Sequence, residues 1–423
     1  MIEIKPVATV DATVAVPGSK SLTQRALIAA ALGDGTSKLI GSLASEDTSY
    51  TSKALEQMGV LVNRDNDEVW TVEGSGGILA TPAKEIFLGN NGTATRFLTS
   101  VAALGNGEFS IDGEERMRER PIAPLMEALQ GWGVDIVSVQ GTGCPPLRLN
   151  SKGLAGGATI LPEGKSSQYL SSLLLVAPYA AQAASLTVKG EVLSKPYVAM
   201  TLSVMSDFGI DVTCNEEYTS FSIPQGSYRA MEYEIEGDAS NASYFWAAAA
   251  VTGGRVTVSN VPVPSLQGDA LLVPLFARMG CQVTSDGNGI TLQGSERLEG
   301  ISVDMGDMPD VVPTLAVVAA FAHGETKIYN IEHLRIKECD RLTATLTELA
   351  KMGAKVEEGQ DYMIIHGDGG KSLHGAEIET YNDHRMAMSF AVAGLRVPGV
   401  KIQGEGCVAK SFPDFWERFG TLF

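Results

Sequence analysis

Basic side chains stand beside small polar residues where apolar segments begin. The segment PGSKSLTQRALIAAAL, residues 17–32, places Lys20, Ser21 and Arg25 in a glycine-containing turn that leads into a predicted helix. The N–H groups and the dipole at a helix N-terminus favour an anion. The segment is not a Walker loop, because G-x-x-x-x-G-K-[ST] is absent. It predicts an anion-binding turn or, alternatively, a solvated cap before a core helix.

A second polar turn occurs in FLGNNGTATRFLTSVAAL, residues 87–104. Asn90 and Gly92 precede an apolar helix, and Arg96 follows one turn later. A turn that only joins a strand to a helix has the same composition, so this motif is informative only together with the others.

The segment ERMRERPIAPL concentrates arginine in an acidic protein. Arg116, Arg118 and Arg120 are separated by single residues. The pattern predicts anionic partners or, equally, surface pairing with the neighbouring glutamates. In GKSSQYLSSLLLVAP, Ser166, Ser167 and Gln168 stand at a predicted helix start, where they suit either phosphate oxygens or plain capping.

Carboxylates and cations alternate in the second half of the chain. Asp310 lies just before a buried helix, where desolvation would raise a carboxyl pKa and suit it to proton transfer. In LRIKECDRL, Lys337 and Arg341 flank Glu338. If this segment is helical, the two cations share one face, which is unfavourable unless an anion bridges them.

The last basic motifs are TYNDHRMAMSFA and CVAKSFPDFWE. They contribute His384, Arg385 and Lys410. His384 has no second histidine at metal spacing, and by itself it is more typical of a structural histidine. Neither a Ser-His-Asp order nor a dinucleotide fingerprint competes with the set of basic motifs.

One sequence pattern repeats along the chain about every seventy residues: an amphipathic helix, a glycine, and two short strands in which apolar and polar residues alternate. The helix-ending glycines are Gly59, Gly133, Gly209, Gly280 and Gly353, with a truncated sixth at Gly420, and successive differences are 74, 76, 71, 73 and 67. Glycine accepts the left-handed conformation that ends a helix. Six such units predict two lobes of three units.

Alanine-rich stretches predict central helices with sheets outside them. They are residues 26–32, 244–251 and 315–322. A boundary between lobes is predicted near residues 226–236. We assign residues 17–229 to an N-terminal lobe and residues 1–16 plus 230–423 to a C-terminal lobe.

Composition limits the partners. A chain of 423 residues is longer than one hydrophobic core usually supports, so two or more lobes are expected. A net charge of −18 without basic runs argues against a nucleic-acid partner. Small anions remain possible, because charge-assisted hydrogen bonds act at short range. The longest apolar runs, 170–184 and 311–322, are shorter than a membrane span.

Cysteine usage and the N-terminus point to a reducing compartment. Five scattered cysteines without a C-x-x-C pair argue against a disulfide framework and a zinc site. The first residues, MIEIKPVATVDATV, resemble neither a signal peptide nor a transit peptide. A cytoplasmic location is expected.

Taken together, PGSKS, GNNGTATR, RERPI, SSQYL, SKPY, DMPD, LRIKECDRL, YNDHRMAM and AKSFPD resemble the signature blocks of the 5-enolpyruvylshikimate-3-phosphate (EPSP) synthase family of enolpyruvyl transferases. They occur in the family's order across essentially the whole chain. The resemblance implies an α/β fold: a two-lobed inside-out α/β barrel of six βαβαββ repeats, three per lobe, with helices central and sheets outside. It also implies that the N-terminal strand belongs to the C-terminal lobe.

The resemblance implies that the enolpyruvyl (carboxyvinyl) group of phosphoenolpyruvate is transferred to the 5-hydroxyl of shikimate 3-phosphate, with release of phosphate. The reaction is an addition and an elimination through a tetrahedral intermediate, on the shikimate pathway to chorismate and the aromatic amino acids. The resemblance implies no metal or organic cofactor, and a monomer. Gly92 is retained, so glyphosate is expected to compete with phosphoenolpyruvate, although Phe97 replaces a proline of many members.

Site residues follow from the matching motifs. Those implied for shikimate 3-phosphate are Lys20, Ser21, Arg25, Ser166, Ser167, Gln168, Ser194, Tyr197, Asp310, His333 and Lys337. Those implied for phosphoenolpyruvate are Lys20, Asn90, Gly92, Arg120, Gln168, Arg341, His384, Arg385 and Lys410. Asp310 would take the proton of the 5-hydroxyl, while Glu338 and Lys20 are the candidates to protonate the methylene carbon and the leaving phosphate. His333 replaces an asparagine of many bacterial members.

Two other functions are considered. A sister enolpyruvyl transferase acting on UDP-N-acetylglucosamine shares the repeat, but the cysteine typical of its loop is missing from DGEERMRERPI. An inactive anion-binding protein on the same scaffold would not need the acid and base pair Asp310 and Glu338.

Overall fold

The computed structural model describes residues 1–287 and 289–423. It divides into two compact units. Unit 1 comprises Met1–Pro17 and Glu236–Phe423, and unit 2 comprises Gly18–Ile235.

The strands are short, and many have one buried face. In the described residues they are β1 (Ile2–Glu3), β2 (Asp11–Val14), β3 (Thr36–Ile40), β4 (Leu61–Arg64), β5 (Val69–Glu73), β6 (Ile86–Phe87), β7 (Asn106–Asp112), β8 (Asp135–Ser138), β9 (Leu147–Lys152), β10 (Gly157–Leu161), β11 (Ala184–Val188), β12 (Thr213–Cys214), β13 (Ser220–Ile223), β14 (Glu232–Glu234), β15 (Arg255–Val258), β16 (Gln282–Ser285), β17 (Ile290–Gln293), β18 (Ser302–Asp304), β19 (His323–Tyr329), β20 (Lys355–Glu358), β21 (Tyr362–Asp368), β22 (Glu377–Ile378) and β23 (Lys401–Ile402). Along β9 buried and exposed residues alternate, so one face of the strand packs on the core.

Helices alternate with these strands. In the same residues they are α1 (Lys20–Leu32), α2 (Glu46–Gln57), α3 (Gly92–Ala102), α4 (Ala123–Gly131), α5 (Ser167–Val176), α6 (Lys195–Asp207), α7 (Ala239–Thr252), α8 (Leu272–Arg278), α9 (Val312–Ala320), α10 (Arg341–Lys351), α11 (His384–Gly394) and α12 (Phe415–Gly420). None of the helices in the described part of the chain is long and apolar enough to cross a membrane.

Five of the six sheets in the described residues are four-stranded and share one topology, and the sixth has three strands. In unit 2 the strand orders are β14-β3-β5-β4, β6-β7-β9-β8 and β10-β11-β13-β12, and in unit 1 they are β16-β17-β15-β2, β18-β19-β21-β20 and β1-β23-β22. Each sheet contains one parallel pair, such as β6 with β7, and continues with antiparallel strands. The protein is therefore a mixed α/β fold built from similar units.

The repeated helix-glycine-strand pattern is present in the structure. Helices α2, α4, α6, α8 and α10 each end before one of the first five repeat glycines, whose φ angles lie between +85° and +113°. A residue with a Cβ is strained in this conformation, which explains the choice of glycine. The sixth glycine is different, because Gly420 is the last residue of α12.

The predicted central helices are the most buried elements. Every residue of α7 and of α9 is buried, and in α1 only Ser21 is partly exposed. A helix that is apolar all round satisfies its backbone internally and can be enclosed by other elements. In each unit such helices belong to the apolar core.

The boundaries between the units differ from the predicted ones. Residues 230–235 belong to unit 2, because β14 pairs in parallel with β3 through Tyr233 and Leu39. Pro17 belongs to unit 1, where its carbonyl accepts a hydrogen bond from the N–H of Asp238 at 2.8 Å. Three-residue strands such as β14 are too short to recognise from their composition.

Candidate active site

The N-terminus of α1 buries a lysine. Ser19 caps the helix by accepting a hydrogen bond from the N–H of Leu22, and Lys20 is the first helical residue. The ammonium of Lys20 donates to the carboxylate of Asp47, in α2, at 3.0 Å, and both side chains are almost completely buried. A cation is thus held at the positive end of a helix, where it adds to the attraction for an anion.

Arg25, one turn further along α1, is buried among neutral groups. Its guanidinium donates to the hydroxyls of Thr201 and Ser171 at 2.7 and 3.2 Å and to the carbonyl of Tyr197 at 3.2 Å. In the described residues no carboxylate is among its hydrogen-bond partners, and burial lowers the pKa of Arg25 to about 10. The side chain ties α1 to α5 and α6, and its charge is not balanced within this group.

The next helix, α3, begins at Gly92. Asn91 caps it and also donates its amide to the carbonyl of Asp47 at 2.8 Å. Arg120 lies against Gly92, and a Cβ at Gly92 would be 2.4 Å from a terminal nitrogen of Arg120. That guanidinium also donates to the backbone and side-chain oxygens of Asn90 at 3.2 and 3.1 Å. The glycine therefore makes room for an arginine at a helix N-terminus.

The three closely spaced arginines have different surroundings. Arg116 pairs with Glu119 at 2.8 Å, as surface pairing predicts. Arg118 makes two hydrogen bonds to Asp112, at 3.0 and 2.5 Å. Only Arg120 is buried, at 3% exposure. The dense arginine motif therefore supplies one cation to the site.

The starts of α5 and α6 complete the polar end of unit 2. Ser166 is the N-cap residue of α5, Ser167 is its buried first residue, and the amide of Gln168 donates to Thr93 in α3 at 3.1 Å. Ser194 precedes α6 in a left-handed conformation, with φ 55° and ψ 42°. Non-glycine residues in that region are uncommon and concentrate at functional sites.

In unit 1 the central group is Arg341, the first residue of α10. Its guanidinium is 1% exposed. It donates to Asp310 at 2.9 Å and to Glu338 at 2.9 Å. It also donates to both carboxylate oxygens of Asp383, at 2.7 and 3.2 Å. Burial opposes the charged form, but the three carboxylates outweigh it and raise the pKa of Arg341 well above its ordinary value.

The helical interpretation of residues 337–341 is wrong. The chain forms a 3₁₀ turn over Glu332–Ile336, Lys337 is extended, and Asp340 caps α10 so that the helix begins at Arg341. The two cations are therefore not neighbours on a helix face. Arg341 is stabilised by Glu338 from the same motif and by Asp310 and Asp383, which lie outside the motif.

Asp310 joins Arg341 to a second buried arginine. Its other oxygen accepts from Arg385 at 3.2 Å, and Arg385 also donates to the hydroxyl of Tyr244 at 3.1 Å and to Asn241 at 3.4 Å. The Nε atom of Arg385 is buried and has no hydrogen-bond partner within residues 1–287 and 289–423. Two guanidiniums thus contact the same carboxylate, and this arrangement is suited to binding a second carboxylate, from a ligand.

The remaining candidates lie close to this pair. The ammonium of Lys410 is 3.6 Å from the carboxylate of Glu338. His384 is buried at the start of α11, with its Nδ1 3.6 Å from Asp383. His333 is 5% exposed, and burial, with a smaller contribution from Lys337, lowers its pKa to about 3. Its imidazole is therefore neutral in the folded protein at physiological pH.

Sequence reasoning missed the partners of the cations. Asp383 stands directly before the helix-starting residues His384 and Arg385, so the N-cap pattern could have indicated it. Asp47 and Tyr244 have no local signal, because they lie 27 and 141 residues from the cations that they contact.

Comparisons with known proteins agree with this fold. The family model for EPSP synthase (3-phosphoshikimate 1-carboxyvinyltransferase) matches residues 4–419. The 3-phosphoshikimate 1-carboxyvinyltransferase of Trichormus variabilis is 47% identical over 97% of this chain and 96% of its own length. That of Shewanella amazonensis is 45% identical over 100% of this chain and 98% of its own length.

Solved structures show the same fold. EPSP synthase from Acinetobacter baumannii has a TM-score of 0.83 and 29% identity, covering 99% of this chain and 97% of its own. The enolpyruvyl transferase NikO from Streptomyces tendae, 18% identical, has a TM-score of 0.81 over 99% of this chain and 96% of its own, which shows the fold alone.

The fold and these relatives therefore define an enolpyruvyl transferase. The chain belongs to the EPSP synthase (3-phosphoshikimate 1-carboxyvinyltransferase) family. The predicted transfer to shikimate 3-phosphate in the shikimate pathway is confirmed, and the alternative acceptor UDP-N-acetylglucosamine is not favoured.

Gly92→Ala should displace Arg120 without unfolding the protein. The added methyl would lie 2.4 Å from the end of a flexible side chain, which can move at small cost. We expect the guanidinium to leave Asn90 and the Michaelis constant for phosphoenolpyruvate to rise about tenfold, the equivalent of one lost charge-assisted hydrogen bond. A crystal structure and steady-state kinetics would measure both effects.

The control for that variant is Gly420→Ala. Beyond the backbone of its own helix, a Cβ at Gly420 meets no atom of the described residues within 4 Å, so the kinetics of this variant should be unchanged. A Gly92→Ala enzyme with Arg120 in its original position and unaltered kinetics would contradict the proposed close packing.

His333 should make stability depend on pH. Its pKa is about 3 in the folded protein and about 6.5 in an unfolded chain. Between these values the unfolded chain binds a proton that the folded chain does not. The contribution of His333 to the free energy of unfolding is therefore fully present above about pH 6.5 and is lost as pH falls below that value. His333→Gln should remove this dependence, which amounts to at most about 1.4 kcal/mol per pH unit.

Urea unfolding at several pH values between about 5 and about 8 would test this, with His374→Gln as the control at an exposed ring. Parallel curves for wild type and His333→Gln over this range would refute the assignment.

Proposed function

We propose that Arg341 and Arg385 hold the carboxylate of phosphoenolpyruvate and that Asp310 accepts the proton of the 5-hydroxyl of shikimate 3-phosphate. The observation that carries this proposal is the meeting of both guanidiniums at Asp310, at 2.9 and 3.2 Å. Planar guanidiniums bind carboxylates through paired hydrogen bonds, and the Nε of Arg385 is an additional buried donor. A carboxylate bound there would lie beside the base.

The addition requires an acid close to the bound substrate. Protonation of the methylene carbon gives the adjacent carbon oxocarbenium character, and the 5-oxygen then bonds to that carbon as its proton passes to Asp310. Glu338, which contacts both Arg341 and Lys410, and Lys20, which contacts Asp47, are the candidate acids. In the elimination the methyl group returns a proton, the bond to the phosphate oxygen breaks and phosphate leaves.

Polar groups of unit 2 are proposed to bind the anionic substituents. Ser21 and Arg25 take the shikimate carboxylate, for which the unbalanced charge of Arg25 is suited. The further residues assigned to shikimate 3-phosphate are Lys20, Ser166, Ser167, Gln168, Ser194 and Tyr197, with His333 and Lys337 from unit 1. Those assigned to phosphoenolpyruvate are Lys20, Asn90, Gly92, Arg120 and Gln168, with His384 and Lys410 from unit 1.

The finer architecture is also a proposal. We propose that each unit is an inside-out α/β barrel of three βαβαββ repeats, with its helices central. The topology shared by five of the six sheets of the described residues and the enclosed helices α1, α7 and α9 support it. We further propose a cytoplasmic monomer without nucleic-acid or membrane partners, in which unit 2 is the shikimate 3-phosphate lobe and unit 1 carries the carboxylate clamp.

Asp310→Asn should lower kcat by about 10² to 10⁴, because the amide cannot accept the proton, while shikimate 3-phosphate still binds. Phosphate release would be measured with shikimate 3-phosphate and, separately, with UDP-N-acetylglucosamine. The matched control is Asp135→Asn, a change at an exposed strand residue. Wild-type turnover in the Asp310 variant would overturn the assignment of the base, whereas turnover only with the nucleotide sugar would overturn the acceptor.

Glyphosate should inhibit by competing with phosphoenolpyruvate. It carries carboxylate and phosphonate groups suited to the same arginines and lysines, and Gly92 leaves room for Arg120 in its present position. We expect the apparent Michaelis constant for phosphoenolpyruvate to rise linearly with glyphosate while kcat is unchanged. Inhibition that phosphoenolpyruvate does not relieve would contradict this.

A further inference from the structure

A completely buried carboxylate in unit 1 has no part in the proposed chemistry. Glu348 lies in α10 and is 0% exposed. One of its oxygens accepts from the hydroxyl of Tyr381 at 2.7 Å, and the other accepts from the N–H of Glu379 at 3.1 Å. Lys351, whose side chain is 44% exposed, donates to both oxygens at 2.8 and 3.0 Å. Two of the three partners thus belong to one distant segment.

That segment is strained directly before the arginine clamp. Tyr381 and Asn382 are consecutive non-glycine residues with φ angles of 54° and 53°. Left-handed conformations are unfavourable at non-glycine residues, less so at asparagine, and persist only where surrounding contacts impose them. The next residue, Asp383, caps α11 by accepting from the N–H of Arg385 and pairs with Arg341.

Helix α10 contacts this segment at two places. Arg341 and Glu348 are seven residues apart, which is two helical turns, so they lie on the same face of the helix. Glu348 contacts Tyr381 before Asn382, and Arg341 contacts Asp383 after it. The left-handed pair is therefore held on both sides by one rigid element. Because Asp383 starts α11, the path of this segment sets the position of Arg385.

We propose that Glu348, acting through the Tyr381 hydroxyl, is a positioning residue for the carboxylate clamp. It imposes the left-handed path of residues 381–382 and so places Asp383 and Arg385 against Asp310. The inference rests on the proposed function in one respect, that Arg385 binds the carboxylate of phosphoenolpyruvate. Hydrogen bonds to a buried carboxylate are among the stronger contacts that can maintain a strained backbone.

The test is Tyr381→Phe, which removes the hydroxyl and keeps the ring. We expect the Michaelis constant for phosphoenolpyruvate to rise about tenfold, as for loss of one hydrogen bond to a charged group, with little change for shikimate 3-phosphate. Lys351→Met is the matched control, since it removes a partner of Glu348 that does not belong to the strained segment. Its Michaelis constants should stay at the wild-type values.

Arg385→Lys separates this inference from the proposed function. If Arg385→Lys leaves the constant for phosphoenolpyruvate unchanged, the clamp itself is wrong. If Arg385→Lys raises it and Tyr381→Phe does not, the positioning role is wrong. Equal effects of Tyr381→Phe on both substrates, together with a lower thermal midpoint, would show a general structural role and would also overturn the proposal.

Discussion

The candidate site in unit 1 depends on the ion pairs that the buried guanidinium of Arg341 makes with three carboxylates. Removing a charge from water is costly, and the cost is offset only where several partners satisfy it. Asp310, Glu338 and Asp383 come from three separate segments and converge on this one group. Their shared bond to Arg341 fixes the approach to α9, the start of α10 and the start of α11 relative to one another. The candidate base and the candidate acid are thereby positioned by the same cation.

Unit 2 buries an arginine in a different way. The partners of Arg25 are hydroxyl and carbonyl groups, and burial lowers its pKa where carboxylates raise that of Arg341. A cation held by neutral dipoles retains its attraction for an anion, and helix N-termini in the same unit add to it. Unit 1 therefore combines its cations with candidate proton-transfer acids, whereas in unit 2 Arg25 is held by hydroxyl and carbonyl groups. This difference matches a reaction that binds phosphate groups and also moves protons.

Local signals in the sequence were reliable where the backbone itself carries the information. The turns at Lys20, Gly92 and Ser167 do begin helices, and the first five repeat glycines do follow the ends of other helices. Short-range patterns failed where a contact crosses the chain. The spacing of Lys337 and Arg341 suggested a shared helix face, but the capping carboxylate of Asp340 begins the helix only at Arg341. Likewise, spacing did not distinguish Arg120, which is buried, from Arg116, which pairs at the surface.

The sequence by itself determined the alternation of helices and strands, the sixfold repeat, the family and the set of charged residues that belongs to it. These follow from local conformational preferences and from the order of the motifs, and both depend only on the amino-acid sequence. Only the tertiary structure decided which groups contact the cations: Asp47 contacts Lys20, and Asp310 and Tyr244 contact Arg385. It likewise decided that Glu348 contacts the left-handed segment at Tyr381. The physical reason is that burial and partner geometry depend on residues far apart in sequence, and these two factors set the direction and the contacts of the buried basic side chains.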